Sequence, residues 1–144
     1  TIIRKVAKGL RFYPPGTNGF VGVDDVVKAI ILLMESSISH ERFILVSENL
    51  SFKTILSTIA KGLNKKAPSI KVSKSIANLL QYLDQLRAFL FGSPLTLTKQ
   101  TIQTSFSDRC YSSEKLKKAL ANFKFEPMEE SILKACKLYS KESD

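Results

Sequence analysis

Only one run in this chain, Phe43-Ile44-Leu45-Val46, reads as a strand buried on both faces, and one such strand cannot make a sheet. Whatever fold the chain adopts must therefore be mostly helical, or must complete a sheet begun elsewhere. The rest of the pattern agrees. Residues 1–9 read as the end of a helix, followed by a short extended Phe12-Tyr13 stopped at Pro14-Pro15-Gly16. Phe20-Val21-Gly22-Val23 reads as extended and leads to Asp24 as N-cap of a helix whose Val26, Val27, Ile30, Leu33 and Met34 form one buried stripe.

After the 43–46 run, Ser51 caps a helix in which Phe52, Ile55, Leu56, Ile59, Ala60 and Leu63 repeat at helical period, with Gly62 and Asn64 marking its end. Ile70-Lys71-Val72 is a short strand. Residues 75–91 are helical with apolar residues on more than one face, a surplus that needs a second partner. Gly92-Ser93-Pro94 stops that helix, and another runs from about 98 to 107. Ser112 then caps a helix with Tyr111 and Leu116 as a hydrophobic staple. Phe123-Lys124-Phe125 is short and extended. Pro127 opens the last helix, whose inner face is Met128, Ile132, Ala135, Cys136 and Tyr139. The expected class is α/β: a mostly helical α+β fragment with a few short strands and about six helices, all 144 residues in one unit.

Composition narrows the function classes. Hydrophobic residues make up 44% and charged residues 24%, ordinary for a globular chain. No apolar run approaches the roughly 20 residues of a membrane span, and residues 1–10 carry charge throughout, unlike a signal peptide. Cys110 and Cys136 form no Cys-x-x-Cys pair and are expected as free thiols in a reducing cytosol, so the expected location is cytoplasmic. The net charge of +9 gathers at Lys61, Lys65, Lys66, Lys71 and Lys74, and again at Lys115, Lys117 and Lys118. These clusters lack interleaved aromatics, so a solvated lysine face outweighs a nucleic-acid track, and neither nucleic acid nor membrane is an expected partner.

Two motifs match catalytic patterns and fail on context. Residues 16–22 fit G-x-x-G-x-x-G, a phosphate-cradling spacing, and Glu48 falls where an acid could hold a ribose. Yet Pro14 and Pro15 stand where the first buried strand should end, and Asp24-Asp25 would face the pyrophosphate. Tyr111 and Lys115 fit Tyr-x-x-x-Lys, but Tyr111 lies outside a helix capped by Ser112, so the two share no helical face. His40, the only histidine, sits in a polar loop. One histidine and two distant cysteines make no metal set, nothing assembles a triad, and capping explains Asp24 better than a pair of catalytic carboxylates with Asp25.

The order of the pieces resembles the C-terminal region of extended short-chain dehydrogenases/reductases, near the dihydroflavonol-reductase-like and NAD-dependent epimerase/dehydratase branch. Residues 19–29 look like that family's Gly-Phe-Val-x-Val-x-Asp-Val-Ala segment, residues 42–52 like its last sheet strand and helix entry, residues 93–98 like its Pro-x-Leu-Thr turn, and residues 111–127 like its tail motif. Gly22 departs from the pattern, where the family more often carries a larger polar residue. The resemblance implies that the chain, which begins with Thr1, is the substrate-binding C-terminal portion of a Rossmann-type NAD(P)-dependent reductase or epimerase. The nucleotide-binding half, the cofactor site and the catalytic residues would all lie upstream. It assigns no catalytic, cofactor or metal role within these residues, and it implies NAD or NADP for the parent only. It places Phe12, Tyr13 and Asn18 at substrate loops, with Leu79, Leu83 and Phe89 on an apolar wall facing a small-molecule substrate. The partners expected are the missing half and a second chain pairing with the edge of 43–46; a monomer with that strand solvated on both edges counts against this reading. The alternatives are a free-standing cofactor enzyme, which needs a buried strand ending at Pro15, and a basic module for nucleic acid or an acidic partner.

Overall fold

The computed structural model describes residues 2–73, 75–77, 79 and 99–143. Among these residues the fold is mixed α/β, with six helices and four short strands. In chain order they are α1 (Ile2–Ala7), β1 (Phe12–Tyr13), β2 (Thr17–Phe20), α2 (Val23–Met34), β3 (Glu48–Ser51), α3 (Phe52–Gly62), β4 (Ile70–Lys71), α4 (Lys99–Ser105), α5 (Glu114–Ala119) and α6 (Met128–Ser143). The strands form two separate two-stranded sheets. β1 pairs with β4 in parallel, Phe12 opposite Ile70, and β2 pairs with β3 antiparallel, Asn18 opposite Leu50.

The main core is where sequence periodicity was strongest. Ile55, Leu56, Ile59 and Ala60 of α3 pack against Met128, Ile132 and Cys136 of α6, and Val6 of α1 closes the cluster. Burying each large side chain here removes apolar surface worth about 2 kcal/mol from water. Ser51 caps α3 as expected, its hydroxyl accepting the Thr54 amide at 3.1 Å. Gly62 ends that helix at close quarters, since a Cβ there would stand 3.0 Å from the Cys136 sulfur and from Leu133. Both cysteines are free, Cys110 exposed and Cys136 buried. Burial pushes the Cys136 thiol up from its ordinary value. No helix among the described residues is long and apolar enough to cross a membrane.

Four expectations need correction. The run 43–46 is not a strand: the sheet pairing beside it belongs to Glu48–Ser51, a polar segment that follows it. β2 pairs with β3 and bridges to Asp108 at Thr17, and residues 43–46 join neither sheet. Its backbone finds Ser113, whose hydroxyl donates to the Val46 carbonyl and accepts the Val46 amide, both at 2.7 Å. Residues 43–45 have no backbone partner along either edge among the described residues. That is the outcome counted against a fragment with one open edge.

The second correction concerns α2: of its expected buried stripe Val26 and Leu33 are half-buried, Leu33 against the Ala29–Leu116 cluster, whereas Val27, Ile30 and Met34 turn outward. Val23, Val27, Ile30, Ile31 and Met34 are exposed, between 48% and 80%, while the helix buries Asp25 and Ala29. Third, Gly22 and not Asp24 is the N-cap of α2; it offers no side-chain cap, and Asp24 lies in the first turn. Fourth, α5 starts one residue late, with Ser113 at the N-cap in place of Ser112. The Ser113 hydroxyl is committed to Val46 and makes no cap bond, and Ser112 Oγ accepts the Glu114 amide at 3.3 Å. The staple is also lost. Leu116 is fully buried with Ala29 and Phe123, whereas Tyr111 is 38% exposed. Residues 75–77 and 79 are helical, while most of the two-sided helix, the 92–94 stop and the 93–98 turn lie outside the described residues.

Candidate functional site

The three glycines of the 16–22 segment lie close against the protein's own atoms. A Cβ on Gly16 would stand 2.5 Å from the Ser105 carbonyl oxygen and 2.7 Å from that of Ser107. On Gly19 it would stand 2.8 Å from a Val46 methyl and 2.9 Å from the Tyr111 ring, and on Gly22 2.5 Å from Ser131 Oγ. None of the three has the positive φ that favours glycine; among the described glycines only Gly9 does. Close packing of 105–107, 46, 111 and 131 accounts for these glycines. A larger residue at Gly22 would have to displace Ser131.

Glu48, the acid that could have held a ribose, instead accepts the Met128 amide at 2.8 Å and so serves the N-terminus of α6. Tyr111 and Lys115 do not meet. The Tyr111 backbone exchanges two 2.9 Å bonds with the Asn49 side chain, while Lys115 pairs with Glu41 and lies 5.3 Å from the Phe43 ring centre. Lys115 holds the Glu41 carboxyl below the usual range, by hydrogen bond and by charge. His40 is exposed, with φ of 59°.

The substrate candidates fall in separate places. Tyr13 turns into the main core, with Lys53 Nζ 5.6 Å from its ring centre. Its neighbour Phe12 faces the opposite side of β1 and is 52% exposed, beside the exposed Ile70 across the sheet. Asn18 lies on the other sheet, and its side-chain oxygen accepts the Gly19 amide at 3.0 Å. Leu79 is 60% exposed; Leu83 and Phe89 lie outside the described residues.

The group that sequence reasoning undervalued is Asp25. It is fully buried, and its Oδ2 accepts the Glu126 amide at 2.9 Å. Oδ1 has no hydrogen-bond partner among the described residues, and the Lys28 ammonium stands 3.8 Å away. Around it the 126–128 corner is tied down repeatedly: Ser47 donates to the Glu126 carbonyl at 2.8 Å, Ser131 donates to Glu126 Oε2 at 3.0 Å, and Lys134 pairs with Glu126 Oε1. Lys134 and Ser131 together hold the Glu126 carboxyl below its ordinary value. Asp25 thus joins α2 to the corner that opens α6. Asp25→Ala would strand a part-buried amide, and a loss of about 2 kcal/mol in urea denaturation is expected, with Lys28→Ala costing far less.

Among the described residues no cluster of histidine, cysteine and carboxylate could hold a metal. Taken together the packing defines a mixed α/β unit whose polar contacts serve its own corners. No family model matches the chain and no curated protein does. The fold is similar to that in the crystal structure of gox2253, with a TM-score of 0.72 at 23% identity. The similarity covers 98% of this chain and 42% of that protein, so this chain spans less than half the length of its structural neighbour.

Proposed function

We propose that this chain is the substrate-binding C-terminal portion of an NAD(P)-dependent reductase or epimerase of the extended short-chain type. In that reading it docks on a nucleotide-binding half that carries the cofactor site and the catalytic residues. The observation that carries this is the exposed apolar face of α2. A helix that buries Asp25 and Ala29 while exposing Val23, Val27, Ile30, Ile31 and Met34 is built to be covered. The extended run 43–46 lies on the same side of the argument. Phe43 and Leu45 pack on the Ala29–Leu116 cluster, Ile44 is 53% exposed, and a sheet added from outside would supply the backbone partners that 43–45 lack. Against the reading stands the same run, whose residues 43–45 have no backbone partner along either edge among the described residues. The length of the neighbour left unmatched leaves room for the covering half.

In this proposal Phe12, Asn18 and Leu79 are surface positions for the small-molecule substrate, and the chain supplies no step of the chemistry. The test is titration with NADH and NADPH, followed by nicotinamide fluorescence. No change is expected up to millimolar cofactor with this chain alone. Joined to its upstream half, the protein should bind cofactor, and amides 43–45 should become protected from hydrogen exchange. Saturable binding by this chain alone would overturn the proposal.

A further inference from the structure

A second feature stands apart from the proposed reductase role and does not rest on it. The parallel pairing of β1 with β4 brings together two segments far apart in sequence, both free of acidic residues: no Asp or Glu occurs in 1–23 or in 49–83. Each segment leaves its helix by the same device. After α1, Gly9 takes φ of 86° and the Leu10 amide reaches back to the Lys5 carbonyl at 3.2 Å. After α3, Asn64 takes φ of 52° and the Lys65 amide reaches back to the Ala60 carbonyl at 2.8 Å. These two left-handed turns end both helices, and the chains beyond them run into the paired strands. Between them lies a cleft of about 650 Å³ lined by Lys8, Arg11, Lys65, Lys66 and the wall residues Leu10 and Ile70, with no acid in its lining.

Only some of the described cations are paired with carboxylates, and what sets the cleft apart is that four unpaired ones share one concave wall. Lys28, Lys61, Lys115, Lys117 and Lys134 each have a carboxylate within ion-pair distance. The four cations of the cleft have none among the described residues. The amides of Lys66 and Ala67, both exposed residues on the same wall, also donate to no acceptor among the described residues. The C-terminal ends of α1 and α3 each offer at most about half a negative charge, which four cations exceed. Like charges gathered in a concave site repel one another and raise the local positive potential, an arrangement relieved by a multivalent anion.

We propose that this cleft is a binding site for a soluble phosphate-bearing small molecule. Arg11 would grip phosphate oxygens in a bidentate manner, and Lys8, Lys65 and Lys66 would supply the remaining charge. The volume is in the ordinary range for small-molecule sites, and a short open cleft between two turns suits a compact anion better than a long strand.

The test is isothermal titration with inorganic pyrophosphate against chloride at matched ionic strength, with thermal melting alongside. One saturable site and a raised melting temperature are expected. Arg11→Ala and the pair Lys65→Ala/Lys66→Ala should each weaken binding at least about tenfold, because each removes charged hydrogen bonds. The pair Lys117→Ala/Lys118→Ala, which removes equal charge elsewhere, should leave it unchanged. The Arg11 backbone, whose carbonyl accepts the Ser69 and Ile70 amides, is retained in Arg11→Ala, so the sheet should survive. No binding, or equal weakening by both lysine pairs, would sink the proposal. So would binding to anionic lipid vesicles or to single-stranded RNA without saturable binding of pyrophosphate.

Discussion

Gly16→Ala should cost about 3 kcal/mol or prevent the chain from folding, because the added methyl group meets backbone and not a side chain that can turn aside. The two nearest atoms are the carbonyl oxygens of Ser105 and Ser107, at 2.5 and 2.7 Å. Both belong to a chain segment bonded to this corner: the Gly16 amide donates to Ser105 at 3.0 Å, the Thr17 amide to Ser107 at 3.2 Å, and the Phe52 amide to Gly16 at 3.0 Å. Moving the carbonyls away would break the first two bonds, and moving Gly16 would break the third. Gly9 provides the contrast. It has open space but φ of 86°, so Gly9→Ala meets only backbone strain and should cost about 1 kcal/mol. Urea denaturation of the two variants reads the difference directly. Similar losses would mean that the close approach at Gly16 is not what requires glycine there.

The second large effect concerns association. Val27, Ile30 and Ile31 lie at i, i+3 and i+4 on the outward stripe of α2, each near half exposed. Covering such half-exposed side chains is worth roughly 1.4 kcal/mol apiece, tenfold each in an association constant. The isolated chain should therefore self-associate with rising concentration. The triple variant Val27→Glu/Ile30→Lys/Ile31→Glu should be monomeric by sedimentation, with its association constant lowered on the order of a thousandfold by the same reckoning. Its melting temperature should fall little, since these side chains are about half exposed and belong to neither core cluster. If the variant unfolds, the stripe belongs to the core after all. If the unaltered chain stays monomeric at high concentration, the stripe is not an interface.

What sequence reading caught and what it missed divide along physical lines. α3 and α6 were legible because each has one apolar stripe and that stripe is buried. α2 has apolar residues on most of its surface, and periodicity cannot say which side faces inward. The inward side was chosen by small Ala29 and by Asp25, whose carboxylate answers the Glu126 amide more than a hundred residues away in the chain. The run 43–46 had strand composition but no partner, whereas Glu48–Ser51 had poor strand composition and a partner in β2. Pairing decided the matter over propensity. The doubts about the glycine segment and about Tyr111 with Lys115 came from context, and the distances give both motifs other occupations. The basic cleft was visible only as scattered lysines, because its two walls meet through a pairing that no local pattern encodes.

That pairing has a kinetic consequence. A parallel contact between Phe12 and Ile70 can form only after the intervening chain has been laid down and folded back. β1 must therefore wait for β4, while β2 and the helices between them can organise first. The β1–β4 seam should close after the β2–β3 pairing, and an anion held across it would act as a clasp on a late-closing seam.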